Sequence, residues 1–262
     1  MHRAATRKRF GQHFLTDLRV VERIVRAVAP RAEERIVEIG PGRAALSRAL
    51  LESGATLHMI EIDRDLASGL KALLAGYENA CLHVGDALDM DLSAIVAGRP
   101  FRLVGNLPYN ISTPLLFHVL QWSKLIVDMH LMLQREVVER MAASPGGKAR
   151  GRLSIMCQYH CEVTTLFDVP PEAFSPAPRV HSAMVRLRPH PEPPVDVGSM
   201  DSFQHLVRQA FATRRKTLRN CLRGLLEPEQ IESAGIDPGL RPEALGLAEF
   251  AALSRLMNQS MS

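Results

Sequence analysis

Apolar residues at Leu18, Val21, Ile24, Val25 and Val28 recur with the period of an α-helix and predict one over residues 17–29. Thr16 is placed to cap it, and Pro30 stands at its end. Short apolar runs then alternate with helical patterns. The predicted strands are Arg35–Ile39, Thr56–Ile62, Ala80–Val84, Phe101–Val104, Ile126–Leu133, Val163–Phe167 and Ala183–Leu187. Helices are predicted near 44–53, 64–75, 89–96 and 113–122, with another over 135–143. Such alternation predicts an α/β fold, a doubly wound and mainly parallel sheet. The last two strands have no long helix between them, which predicts an antiparallel pair at one edge. Between Arg188 and Met200 lie Pro189, Pro191, Pro193, Pro194 and Gly198, the composition of a linker. Beyond it the pattern is only helical, over about 202–212, 214–226, 228–234 and 247–258. The expected organisation is an α/β domain over 1–187, a linker over 188–200 and a small all-helical domain over 201–262.

The chemistry gathers at the predicted strand ends. Asn106-Leu107-Pro108-Tyr109 follows the apolar run that ends in Gly105. In open α/β sheets ligands bind outside the carboxyl ends of the strands. An Asn side-chain oxygen and the carbonyls around a proline are acceptors. Aimed at an exocyclic amine, they can take both of its protons and direct its lone pair at an electrophile. The tyrosine ring offers a stacking face for a heterocycle. The alternative is a plain turn leading into a helix at Ser112-Thr113-Pro114.

Glu38-Ile39-Gly40-Pro41-Gly42-Arg43-Ala44-Ala45 ends the first sheet strand and opens a helix. Its glycines let a ligand approach the backbone closely. Glu61 closes the next strand, where a carboxylate can bind ribose hydroxyls. These features fit a nicotinamide dinucleotide or S-adenosylmethionine. Asp86, in Gly85-Asp86-Ala87 after the third strand, could accept from an adenine amine. A dehydrogenase leaves Asp86 and the Asn106 motif unused, so the methyl donor is preferred. Ordinary helix capping is the alternative role for both acids.

Composition narrows the setting. The chain has 262 residues, 46% hydrophobic and 23% charged, with a net charge of +4 and a pI near 9.1. Basic residues cluster at Arg3, Arg7, Lys8 and Arg9. A second cluster is Lys148, Arg150 and Arg152. A third runs through Arg208, Arg214, Arg215, Lys216, Arg219 and Arg223, with no acid between His205 and Arg223. Such clusters suit a phosphate backbone. The N-terminus carries no apolar signal segment, and no run is long enough to span a membrane, so a cytoplasmic protein with reduced thiols is expected. Cys157, His160 and Cys161 lie close together but match no common zinc spacing, and they are read as core.

Together these motifs resemble the ribosomal RNA adenine N6,N6-dimethyltransferases, and the bacterial small-subunit enzymes most closely. The likeness runs along nearly the whole chain. It includes Arg9-Phe10-Gly11-Gln12-His13-Phe14-Leu15, the glycine loop, Glu61-Ile62-Asp63, Gly85-Asp86-Ala87 and Asn106 through Thr113. It also includes Phe174-Ser175-Pro176-Ala177-Pro178-Arg179-Val180-His181-Ser182. The resemblance implies a class I, Rossmann-like methyltransferase domain and a small C-terminal helical domain that binds RNA. It implies donor contacts at His13, Leu15, Gly40, Glu61, Asp86 and Asn106, and no metal. The target adenine is expected between Tyr109 and Phe174, its amine held by Asn106 and the backbone at Leu107. The implied substrate is a hairpin loop near the 3′ end of 16S RNA in the small ribosomal subunit, acted on by a monomer. Large-subunit RNA methylation and a non-catalytic assembly role are the alternatives. Two positions depart from the family pattern. His13 stands where Asn is commoner, and Ala44 stands where the loop usually has a third glycine, a methyl expected to crowd the loop slightly.

Overall fold

The computed structural model describes residues 12–108, 111–213 and 215–261. The strands are β1 (Phe14–Leu15), β2 (Arg35–Ile39), β3 (Thr56–Glu61), β4 (Ala80–Val84), β5 (Phe101–Asn106), β6 (Ile126–Gln134), β7 (Cys161–Val169), β8 (Phe174–Ser175) and β9 (Ser182–Pro189). The α-helices are α1 (Leu18–Val28), α2 (Ala45–Leu51), α3 (Arg64–Leu74), α4 (Leu92–Ile95), α5 (Ser112–Val119), α6 (Arg135–Ala142) and α7 (Arg152–His160). They continue with α8 (Met200–Ala210), α9 (Leu218–Cys221), α10 (Pro228–Ser233) and α11 (Leu247–Met261).

Seven strands form one sheet in the order β4-β3-β2-β5-β6-β9-β7. β2 pairs in parallel with both β3 and β5, β3 with β4, and β5 with β6. β9 runs antiparallel to β6, and β7 and β9 are neighbours at that edge. Strand order reverses between β2 and β5. That is the switch point where a doubly wound sheet opens a crevice at its carboxyl ends. This is the expected α/β architecture.

The helices follow from their apolar stripes. In α1, Val20, Val21, Ile24 and Val28 are buried, and Asp17, not Thr16, is the N-cap, accepting from the Arg19 amide at 2.8 Å. These residues join Ile36, Leu50, Leu57, Met59, Leu70 and Val104 in one core. Each such side chain contributes about 1.5–3 kcal/mol by leaving water.

A second, two-stranded sheet pairs β1 with β8, placing Phe14 opposite Ser175 and Leu15 opposite Phe174. The amides of Thr16 and Asp17 both donate to the Ala173 carbonyl, at 2.8 and 3.2 Å. The N-terminal motif and the Phe174 motif, far apart in sequence, are thus one local structure.

The chain divides into two compact units. One holds the chain up to Val138 together with Thr164–Pro189; the other holds Glu139–Val163 together with His190 onward. The break near residue 189 falls in the proline-rich segment. The segment 139–163 belongs with the C-terminal helices, whereas the sequence reading put it in the first domain. Arg150 shows why. It is 5% exposed, and its guanidinium donates to the carbonyls of Leu245 at 2.9 Å and Ala143 at 2.6 Å and to Gln158 Oε1 at 3.2 Å. The same unit contains the Tyr159–Phe203 and Phe211–Phe250 ring pairs, with centroids 5.2 and 5.7 Å apart.

Candidate active site

A cavity of about 410 Å³ opens at the carboxyl ends of β2, β3, β4 and β5, within the first unit. Its wall includes His13, Leu15, Gly40, Glu61, Asp86 and Asn106, every donor contact expected from sequence, and also Leu107. Residues separated by more than 90 positions are brought together because each stands in, or next to, the end of a strand.

The glycine loop is shaped by close packing. Gly42 has φ +57°, and a Cβ there would stand 3.0 Å from the Phe14 ring. The Arg43 guanidinium covers the same ring at 4.6 Å. Ala44 is fully buried in this loop. Its φ is 62°, in the left-handed region, so backbone conformation is a constraint there. Such a conformation costs an L-residue roughly 1–2 kcal/mol. Gly105, below the Asn106 motif, leaves no room for a side chain: a Cβ would lie 2.9 Å from the Ile39 carbonyl oxygen and 2.9 Å from the Leu107 side chain.

Glu61 is buried, and its two oxygens accept from the amides of Gly42 at 3.2 Å and Asp63 at 2.9 Å. It therefore ties the glycine loop to the end of β3. Burial pushes its carboxyl above the ordinary range, and the two N–H bonds oppose that push. Asp86 Oδ1 accepts from the Leu88 amide at 2.9 Å, so a local turn and a place on the cavity wall coexist.

Asn106 is held by a bond across the chain: its Nδ2 donates to the His13 carbonyl at 3.0 Å. That bond fixes the amide's orientation and leaves Oδ1 as its acceptor end. The Leu107 amide donates to the Met132 carbonyl at 3.2 Å, which fastens the turn to β6. His13 Nδ1 lies 2.7 Å from the Pro176 carbonyl. A carbonyl only accepts, so Nδ1 carries the hydrogen. The His13 side chain thus clamps the segment after Phe174, while its backbone orients Asn106.

Phe174 is not on the cavity wall: it is 4% exposed, paired with Leu15 and packed in the core with Val169, Ala173 and Met184. The ring expected beside the target base is buried in this structure. Tyr109 lies outside the described residues, as do Arg214 and the first basic cluster. Arg150 is buried among carbonyls and leaves the second cluster with Lys148 and Arg152, both exposed. Cys157 and Cys161 are buried free thiols, and no metal-binding group of three or more ligands exists among the described residues.

Sequence reasoning gave no role to Glu38. It lies in β2 among Ile36, Val37 and Ile39, is 3% exposed and lines the cavity. A lone carboxylate inside an apolar strand was the available signal.

The profile of the family described as ribosomal RNA adenine dimethylase matches residues 3–259. The chain belongs to that family. The ribosomal RNA small subunit methyltransferase A of Pseudomonas aeruginosa is 55% identical over 259 residues, covering 98% of this chain and 95% of that protein. The protein of the same name from Chromohalobacter salexigens is 52% identical over 253 residues, covering 95% and 90%. Among solved structures, a dimethyladenosine transferase from Plasmodium falciparum matches with TM-score 0.78 and 25% identity, over 95% of this chain and 98% of that one. The 23S rRNA methyltransferase ErmE matches with TM-score 0.74 and 25% identity, over 94% and 100%. The dimethylase family accounts for the class I, Rossmann-like sheet and makes the protein an RNA adenine methyltransferase.

Proposed function

We propose that this protein transfers methyl groups from S-adenosylmethionine to the N6 amines of two adjacent adenosines in a hairpin loop near the 3′ end of 16S RNA. Two methyl groups go to each amine, during small-subunit assembly in the cytoplasm, and the enzyme acts as a monomer. One observation carries the chemistry: Asn106 stands at the cavity wall with its Nδ2 engaged by the His13 carbonyl, leaving Oδ1 to accept from an amine. Small-subunit RNA is favoured over large-subunit RNA by identities of 52–55% to small-subunit enzymes against 25% to ErmE.

The residues present fit the donor. Glu61 and Asp86 supply acceptors for ribose hydroxyls and an adenine amine, Gly40 and Gly42 let the backbone approach, and Leu15, Met132 and Ile62 offer apolar wall. When bound, the donor supplies a methyl group on a sulfonium, already a strong electrophile, so that an S–C bond breaks as an N–C bond forms. What remains for the protein is alignment and not strong-base catalysis. Acceptors from Asn106 Oδ1 and the Leu107 carbonyl region favour a more tetrahedral amine with its lone pair free. Positive charge developing on nitrogen is stabilised by the same dipoles, and by the Tyr109 ring. The amine's proton then leaves to water. The base must be unstacked to reach such a site, which suits a loop.

The C-terminal unit carries exposed Arg208, Arg215, Lys216, Arg219 and Arg223, together with Lys148 and Arg152, as its RNA-binding groups. Mapping dimethylated adenosines in ribosomal RNA from cells with and without the protein tests the proposal. Loss of the paired modification in 16S RNA is expected. Loss in 23S RNA instead overturns the substrate assignment.

A further inference from the structure

The cavity wall holds an imbalance of charge. Among the described residues, Glu38, Glu61 and Asp86 line it, against the single guanidinium of Arg43, which lies over the Phe14 ring. Glu61 is bonded by two amides, and Asp86 accepts from the Leu88 amide. Glu38 differs. Its Oε2 is buried without a hydrogen-bond partner. Ser47 Oγ, also buried without a partner, lies near enough on α2 to favour the ionised form, yet the two groups do not reach hydrogen-bond geometry. A buried carboxylate left in this way is expensive, and such a group keeps its proton instead.

We propose that Glu38 reads the cationic end of the methyl donor, and that its carboxyl, where still protonated, releases that proton to solvent when the donor binds. The inference rests on the reading of this cavity as the donor site. S-adenosylmethionine carries its ammonium and its sulfonium at one end. A positive charge within about 4–6 Å of a carboxyl favours the charged form.

The empty cavity favours the protonated form. Burial pushes the Glu38 carboxyl up, Ser47 opposes this, and the neighbouring charge of Glu61 adds to it, bringing it to about 7. Among the described residues, the other titratable or charged groups facing the cavity are Glu61 from β3, Asp86 after β4, His13 before β1 and Arg43 before α2. No ionisable side chain reaches the cavity from β5.

Linkage gives the size of the effect. A group at about 7 that is fully ionised in the complex releases about 0.9 proton at pH 6 and about 0.5 at pH 7, and affinity rises about fivefold between them. Calorimetry of the full chain with S-adenosylmethionine, in buffers of differing ionisation enthalpy, counts those protons. Release is expected with the donor. Release that persists with S-adenosylhomocysteine identifies the ammonium as the partner, and release seen only with the donor identifies the sulfonium. Adenosine, which carries neither cation, should release none, and equal release with adenosine overturns the proposal. Glu38→Gln should abolish the release and flatten the pH dependence. If Glu38→Gln does not fold, carbon-13 carboxyl spectra of the wild type replace it: the Glu38 signal should be ionised at pH 6 only with donor bound. Donor binding with no proton release sinks the inference about Glu38 alone. No donor binding at any pH sinks the reading of the cavity itself.

Discussion

Phe174 offers a decision between two accounts of one ring. Its side chain is 4% exposed and packed with Leu15, Val169, Ala173 and Met184. Truncating a buried phenylalanine costs about 3–5 kcal/mol, from lost transfer energy and the cavity left behind. For a chain of this size each kcal/mol moves Tm by about 2–4 °C, so Phe174→Ala should melt roughly 6–20 °C lower. Phe174→Leu keeps most of the volume and should cost roughly 1–2 kcal/mol, a few degrees. Single-turnover methyl transfer, run well below both transitions with RNA and donor saturating, then separates the accounts. A core ring predicts near wild-type transfer by Phe174→Leu. A ring that stacks on the target base would lose about 1–3 kcal/mol of stacking, a 5- to 150-fold loss of rate. A tenfold or greater loss by Phe174→Leu, with Tm only a few degrees lower, would refute the core assignment.

Glu61→Gln should weaken donor binding by about 1–3 kcal/mol in calorimetry, with NAD binding to neither form. Unchanged donor affinity removes Glu61 from the donor site. Arg102 is held by Asp128 through two bonds of 2.8 Å and by Glu34 at 3.1 Å, so Asp128→Ala, which leaves a buried guanidinium with Glu34 as its remaining carboxylate, should cost about 3 kcal/mol in urea unfolding. Burial pushes the Asp128 carboxyl up, but His130 and Arg102 outweigh it and bring it down to about 2, so its contribution is present above about pH 4 and lost as pH falls towards 2. Wild type and Asp128→Ala should therefore converge in stability as pH falls, and a constant gap contradicts this. Neutralising Arg215, Lys216 and Arg219 together should lower the salt slope of RNA binding by about 0.7 per lost phosphate contact. An unchanged slope places the RNA elsewhere.

The sheet was legible because its strands are short apolar runs with helices between them, and β2, β4 and the start of β5 fall where the pattern puts them. The small β1–β8 sheet was not, since two-residue strands carry no periodicity. Helix α7 was missed for a related reason: Ser154, Ile155, Met156 and Cys157 are buried in succession, which erases the 3.6-residue stripe. The helix expected over 214–226 is confined to Leu218–Cys221, and Arg215, just ahead of it, has φ 79°. The cavity residues were legible by type and spacing at strand ends, including Gly40, Glu61, Asp86 and Asn106. Their tethers were not. The Asn106–His13 bond joins positions 93 apart, and only the folded chain shows that a backbone carbonyl sets the direction of that amide. The burial of Phe174 was not legible either, because a proline-stiffened segment looks the same in sequence whether its ring faces a ligand or the core.

The most direct test of the proposed chemistry is single-turnover methyl transfer to small-subunit RNA by Asn106→Ala, both substrates saturating. The strand, the turn and the RNA-binding surface are kept, and the acceptor is lost. Transition-state stabilisation should fall by about 3 kcal/mol or more, a loss of at least 100-fold in rate, with RNA affinity little changed and donor affinity modestly lower. Transfer by Asn106→Ala at the wild-type rate would contradict the account, and would leave Asn106-Leu107-Pro108-Tyr109 as a turn and nothing more.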